Sequence, residues 1–335
     1  MPAGIKIDRA LIRREMARRA PGQKLTTSRT EADEVDIVSG IYQERTTGGA
    51  ICGIIRNTNV RSKDYQTHIL RPGHADLTAF LKYKGFADMR GGGQFSGRLT
   101  APLVFAGAVC RHLLEGITIH ATLSDVAGKT QPSAIAKAIR EAQAQGDSVG
   151  GIVECVADGV PCGLGEPLFQ SMESRLASLL FSVPGVKGVE FGEGFGMARM
   201  RGSEANDELR MKNEELRIFR RPTRPQSTSI DLNRRRLRSE MSTEVESLSK
   251  GRIVCATNHN GGINGGITNG MPLTFRVAFK PTPSIAVEQD TVDVATMTNV
   301  KLKLKGRHDP CIAVRAVPVV EACVALCLAE LGVRS

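Results

Sequence analysis

Glycine punctuates this chain and limits what it can form. The 35 glycines among 335 residues fall largely in clusters, such as Gly48-Gly49, Gly91–Gly93, Gly150-Gly151, Gly261-Gly262 and Gly265-Gly266. A residue without Cβ is used where backbone turns tightly or must approach something closely. The apolar runs between these clusters are short, and none reaches the roughly 20 residues that a bilayer span needs. The opening stretch, MPAGIKIDRALIRREMARRAPG, has no apolar core of the kind a signal peptide carries. A cytoplasmic protein is therefore expected. A hydrophobic share of 41% with 24% charged residues excludes wholesale disorder. With no Trp and three Tyr, the core must rest on Val, Ile, Leu, Ala and Met.

Periodicity predicts mixed α and β. Residues 8–20 read as a helix that Asp8 can cap and Pro21-Gly22 ends. Residues 34–42 and 50–56 read as strands joined by a turn at Thr46–Gly49, and a short helical stretch follows His74 and Asp76. Helices are expected at 100–115, 133–145, 168–182 and 316–331. Strands are expected at 150–157, in VKGVEF, at 273–280 and in the basic run VKLKLKGR. TTGGAICGII and HNGGINGGI resemble each other, a weak sign that two halves share a plan.

The eight cysteines are scattered with no C-x-x-C pair, which favours small buried thiols in a reducing compartment over a metal site. The net charge of +10 raises nucleic acid as a partner. It is local, however. Residues 217–238 hold eight Arg against one Asp, so this single segment supplies +7. Pro222 and Pro225 argue against one continuous helix there, and no aromatic between 220 and 238 offers a stacking platform for bases. A solvated loop is the favoured reading, with nucleic acid or another polyanion as the alternative.

Three loops join glycine or proline to groups that carry chemistry. GGGQFSGR (91–98) feeds a helix and can cradle an anion through backbone N–H groups, yet it fits neither Walker nor Rossmann glycine spacing. RPGHAD (71–76) sets His74 beside Asp76, and GRHDPC (306–311) sets Arg307, His308 and Asp309 before Pro310. Each alone suits a structural turn. Their conjunction with Arg18, Arg19, Lys24, Arg98 and Lys280 on loops suits proton transfer on an anionic, phosphorylated substrate.

On these stretches, together with RRAPGQ, GDSVGGIVECVADGVPCGLGEP, RGSEAND, NHNGGINGGITNGMP and KPTPSI, the sequence resembles the chorismate synthase family over most of 1–212 and 257–332. The resemblance implies an α+β fold with helices inside and sheets outside, two similarly built halves, one domain over 1–332 and a homotetramer. It implies elimination of phosphate from 5-enolpyruvylshikimate 3-phosphate with reduced FMN, and NADPH as a candidate reductant of the flavin. His74 then matches the histidine that governs flavin protonation, and Asp309 the aspartate that helps proton transfer from substrate. Gln94, Phe95, Ser96, Gly265, Lys280, Pro281, Thr282, Pro283, Ser284 and Arg307 fall at flavin contacts. Arg19, Lys24 and Arg98 fall at substrate and pyridine-nucleotide cations.

Two departures follow from the same comparison. Family members open with a strand and a Gly-x-Ser-His motif whose histidine protonates the leaving phosphate, and no G-x-S-H occurs here. The chain is thus expected to begin downstream of that motif, and the loss of a positioned general acid typically costs about 10²- to 10⁴-fold. A catalytically weakened relative that keeps anion and flavin binding is the alternative reading. Residues 213–256 replace a short loop with a long Arg-rich connection, expected to be poorly ordered.

Overall fold

The computed structural model describes residues 1–27, 33–57, 68–88, 90–211, 253–304 and 308–332. The helices that organise it are α1 (Arg9–Arg19), α2 (Asp76–Lys82), α3 (Thr100–Cys110), α4 (Pro132–Ala144), α5 (Met172–Phe181) and α6 (Ala313–Gly332). The strands are β1 (Val35–Ser39), β2 (Cys52–Ile55), β3 (Thr118–Val126), β4 (Gly151–Asp158), β5 (Val186–Phe191), β6 (Leu209–Met211), β7 (Ile253–Cys255), β8 (Leu273–Phe279), β9 (Gln289–Asp293) and β10 (Thr298–Leu302). Two-residue hairpins at 41–46 and 263–268 complete the set.

The main sheet runs β3-β4-β8-β5 with every pair antiparallel. Its inner face is built by alternation. In β8 the residues Leu273, Phe275, Val277 and Phe279 are buried, and the intervening ones are half-buried. In β4 the residues Val153, Cys155 and Ala157 are fully covered. Burying one such Val, Leu or Phe side chain contributes about 1.5–3 kcal/mol.

Helix α6 lies on that inner face, packed on β3, β4, α3, α1 and α5. Helix α3 covers α6 on the other side and meets the β1–β2 sheet through Phe105 and Gly53. The helices therefore lie between sheets, as the resemblance implies. The outer sheets differ in size, four strands against two.

Small residues set the helix spacing. A Cβ at Gly107 of α3 would stand 2.5 Å from the Cα of Ala322 in α6. Because backbone rather than a flexible tip occupies that space, Gly107→Ala must push two buried helices apart. We expect it to cost about 1–3 kcal/mol of stability, read as a lower urea midpoint with an unchanged slope. An unaltered midpoint would mean that the helices can separate freely.

Element ends mostly match the periodicity. Asp8 caps α1 by accepting the Ala10 N–H at 2.8 Å. Helix α5 starts at Met172, after a 3₁₀ turn at Leu168–Gln170, rather than at 168. Helix α6 starts at Ala313 and runs through Pro318, earlier than its apolar spacing alone indicates. Strand β3 is absent from the spans that periodicity marks, because its buried positions are modest (Ile119, Ala121) and alternate with Thr and His.

The Arg-rich segment 217–238 lies outside the described residues, as does most of 213–256. The end of that connection is a strand: β7 pairs with β6, closing the two flanks against each other. Asp207 fastens the same junction by accepting from Thr257 Oγ1, His259 N and both Asn260 nitrogens at 2.7–3.0 Å. Burial raises its carboxyl, but the bonds from Asn260 and Thr257 outweigh that and hold it down at about 2.

Candidate active site

Pro72 and Gly73 make the turn that presents His74. The His74 N–H returns to the Arg71 carbonyl at 3.3 Å, and Gly73 sits at φ +68°, the pattern of a type II turn with Pro then Gly at its centre. The turn folds Arg71 back over the start of α2. There its backbone N–H, Nε and Nη2 all donate to the Asp76 carboxylate at 2.8–3.0 Å. His74 Nδ1 lies 2.7 Å from Asp76 Oδ1.

The KPTPS loop packs on this turn. Lys280 Nζ donates to the Gly73 carbonyl, and a Cβ on Gly73 would touch Pro283 at 3.4 Å. Burial lowers the Lys280 ammonium from its ordinary value, with Lys187 adding repulsion. Ser284 is buried, and Thr282 carries a buried Oγ1 with no hydrogen-bond partner among the described residues. An orphaned hydroxyl of this kind costs about 1–3 kcal/mol unless something outside the chain bonds it.

A second group gathers at the end of α1. Arg19 is buried and donates to Asp33 Oδ2 at 2.5 Å, to Thr100 Oγ1 at 3.1 Å and to the Gly97 carbonyl at 3.0 Å. Burial, followed by repulsion from Arg315, lowers its guanidinium from the ordinary value. Arg98 Nη1 faces Asp33 Oδ1 at 3.1 Å, and its Nη2 donates to the Arg56 carbonyl. Asp309 is buried and accepts from the Thr27 N–H at 2.9 Å and from Arg315 Nη1 at 2.8 Å. Arg315 also donates to the Arg19 carbonyl. Three guanidiniums thus meet two carboxylates, which leaves this group net positive and suited to an anion.

The 146–150 loop joins the two groups. Ser148 Oγ donates to the Thr282 carbonyl at 2.7 Å, and the Val149 N–H donates to the Pro310 carbonyl at 2.8 Å. The loops RPGHAD, KPTPS and GRHDP are therefore tied together, although up to 239 residues separate them. Gln94 is exposed, while Phe95 and Ser96 are half-buried on the turn leading to Arg98, whose N–H bonds Ser96 Oγ at 3.3 Å.

Other expected residues are less clearly drawn in. Lys24 is exposed on the turn after α1, with no ion pair among the described residues. Gly265, at φ +61° with open space where a Cβ would go, sits at a hairpin whose bonds run to Leu164 and Met172. Arg307 lies outside the described residues. Sequence reading gave no role to Asp33 and Arg315, nor to Arg71, Asp76 and Ser148, although these last three stood inside quoted motifs.

Comparisons with known proteins agree over the full length. The family model described as chorismate synthase matches residues 1–333. A curated relative named chorismate synthase, from Dehalococcoides mccartyi strain BAV1, is 40% identical over 100% of this chain and 90% of its own. One of the same name from Chitinophaga pinensis is 44% identical, covering 98% of this chain and 88% of that protein. A solved structure titled "Crystal Structure of Chorismate Synthase" superposes with a TM-score of 0.68 at 25% identity, covering 99% of this chain and 85% of the other.

Proposed function

The chain belongs to the chorismate synthase family, and on that premise we propose that the cluster around His74, Asp309, Arg19 and Arg98 is its active site. The reaction is a carbon–oxygen lyase step of the shikimate pathway, toward aromatic amino acids: 1,4-elimination of phosphate from 5-enolpyruvylshikimate 3-phosphate to give chorismate. One observation carries the residue assignment. The motif loops 71–76, 280–284 and 308–310 are held together by Lys280, Ser148 and Val149, with a net positive group at one end.

The elimination asks two things of a protein. Negative charge develops on a departing phosphate, and a proton must leave an unactivated carbon. Arg19 and Arg98 meet the first need, because fixed cations act most strongly where water is excluded. Asp309 and His74 meet the second as groups that hold or move a proton. The Thr27 and Arg315 donors orient the Asp309 carboxylate, so its direction is set before substrate arrives.

The residues present fit the flavin that the family implies. The orphaned Thr282 hydroxyl and the open spaces at Gly97 and Gly265 are features a polar ligand would complete. Gln94, Phe95, Ser96, Gly265, Lys280, Pro281, Thr282, Pro283, Ser284 and Arg307 would hold it. When bound, reduced FMN supplies the electron density that makes the difficult elimination possible, without net redox change. The same reading makes NADPH a candidate reductant of the flavin, and the enzyme a cytoplasmic homotetramer built from one domain over 1–332. Exposed Leu81, Phe86, Phe169 and Phe195 supply apolar surface for assembly.

Oxidised FMN added to the protein should bind, and its visible spectrum should shift when the phosphorylated substrate follows. No spectral change at high protein concentration would remove the flavin assignment.

A further inference from the structure

The Arg71–His74–Asp76 group has a proton-counting problem with one solution. His74 Nδ1 faces Asp76 Oδ1 at 2.7 Å and Arg71 Nη2 at 3.1 Å. Asp76 is ionised: burial opposes its charge, but the bonds from His74 and Arg71 outweigh burial and hold its carboxyl below the usual range. Were Nδ1 bare, its lone pair would meet a carboxylate oxygen at 2.7 Å with no proton between them. Were it protonated, that contact would be a charge-assisted hydrogen bond, and Arg71 Nη2 would serve Asp76 Oδ1 alone at 2.8 Å. The second arrangement satisfies every group. The Lys280 ammonium, on the loop packed against this turn, is engaged by the Gly73 carbonyl.

We propose that Asp76 is a positioning residue that anchors the Nδ1 proton of His74, so that Nε2 is the one ring nitrogen that gains and loses a proton. Arg71 holds the carboxylate in place with three donors. Nε2 has no hydrogen-bond partner among the described residues, and the side chain is 14% exposed. A partner on one ring nitrogen that fixes the chemistry of the other is a general histidine device. The role matters for catalysis only if His74 acts as proposed above, but the tautomer itself can be read without turnover.

The test is magic-angle-spinning ¹⁵N spectroscopy of protein labelled only at histidine, with no flavin or substrate added. Six histidines are present, and His74→Gln identifies the lines of His74 by their loss. Neutral His74 should show a protonated Nδ1 and a bare Nε2. In Asp76→Ala, the Nε2 line should shift to the protonated position as the opposite tautomer takes over. Should that variant fail to fold, Asp76→Asn, which removes the charge at nearly constant size, should show a mixture of both forms, and Asp76→Glu should restore the parent pattern. A protonated Nε2 in the neutral parent, or a pattern unchanged in every folded Asp76 variant, overturns the proposal. If His74→Gln turns over substrate like the parent while the tautomer is as stated, the active-site reading falls and the tautomer lock stands.

Discussion

Replacing Asp309 by alanine should lower turnover by about 10²- to 10⁴-fold, the usual range for a positioned proton-handling group. Its surroundings set the form of that loss. The carboxylate is buried, and donors from Thr27 and Arg315 occupy both oxygens, so its geometry does not depend on substrate. The anion group formed by Arg19, Arg98 and Asp33 keeps its own bonds when Asp309 is removed. Substrate and flavin affinity should therefore change far less than kcat, the pattern of a group used mainly in the transition state. Equal losses in kcat and affinity would indicate that Asp309 only shapes the site. Turnover like the parent's would remove it from the chemistry. Asp309→Asn removes the charge at nearly constant size, keeps an acceptor for only one of Thr27 and Arg315, and cannot take up a proton in the same way.

The second large effect lies outside the proposed active site. Glu321 is in the middle of α6 and is 1% exposed. Its Oε1 accepts from Arg18 Nη2 at 2.8 Å and from the Ala121 N–H at 3.0 Å. Its Oε2 accepts from Arg18 Nη1 at 2.6 Å and from Arg111 Nη2 at 2.8 Å. One carboxylate thus joins α1, α3's 3₁₀ extension, β3 and α6. The hydrogen bond to Glu321 is the largest reason that the Arg18 guanidinium is held above its ordinary value.

Glu321→Ala leaves two partly exposed guanidiniums and the buried Ala121 N–H without their acceptor, although Glu15 still reaches Arg18 at 2.6 Å. Because both guanidiniums reach solvent and Arg18 keeps Glu15, the cost falls below that of stranding a fully buried charge, to about 1–3 kcal/mol. A fall of that size in urea stability is expected, with Glu321→Gln intermediate because it keeps an acceptor. Arg19 follows Arg18 directly, so loosening this anchor should also weaken flavin or substrate binding through α1. A stability change under 1 kcal/mol would mean that water or Glu15 takes over the network.

The turn that carries His74 and the ends of several elements are readable along the chain because short, contiguous motifs set them. Pro72-Gly73 dictates the turn that presents His74, since only glycine takes a positive φ there without strain. Asp8 and Pro21 bound α1 through backbone hydrogen bonding within a few residues. The alternation in β8 marks its buried face because strand side chains alternate by geometry. Glu321 shows the opposite case. Nothing local in the run AVPVVEACVALC marks it for burial, yet it is among the most buried residues. Its partner Arg18 stands 303 positions away, and Arg111 stands 210 away. The same holds for Asp309 with Thr27, at a separation of 282, and for Lys280 with Gly73, at 207. Local spacing specifies which way a side chain leaves the backbone, whereas the burial of a charge depends on what the packed helices and loops bring against it. Only the tertiary structure supplies that partner, because the attraction between two groups is set by their distance and by the water excluded between them.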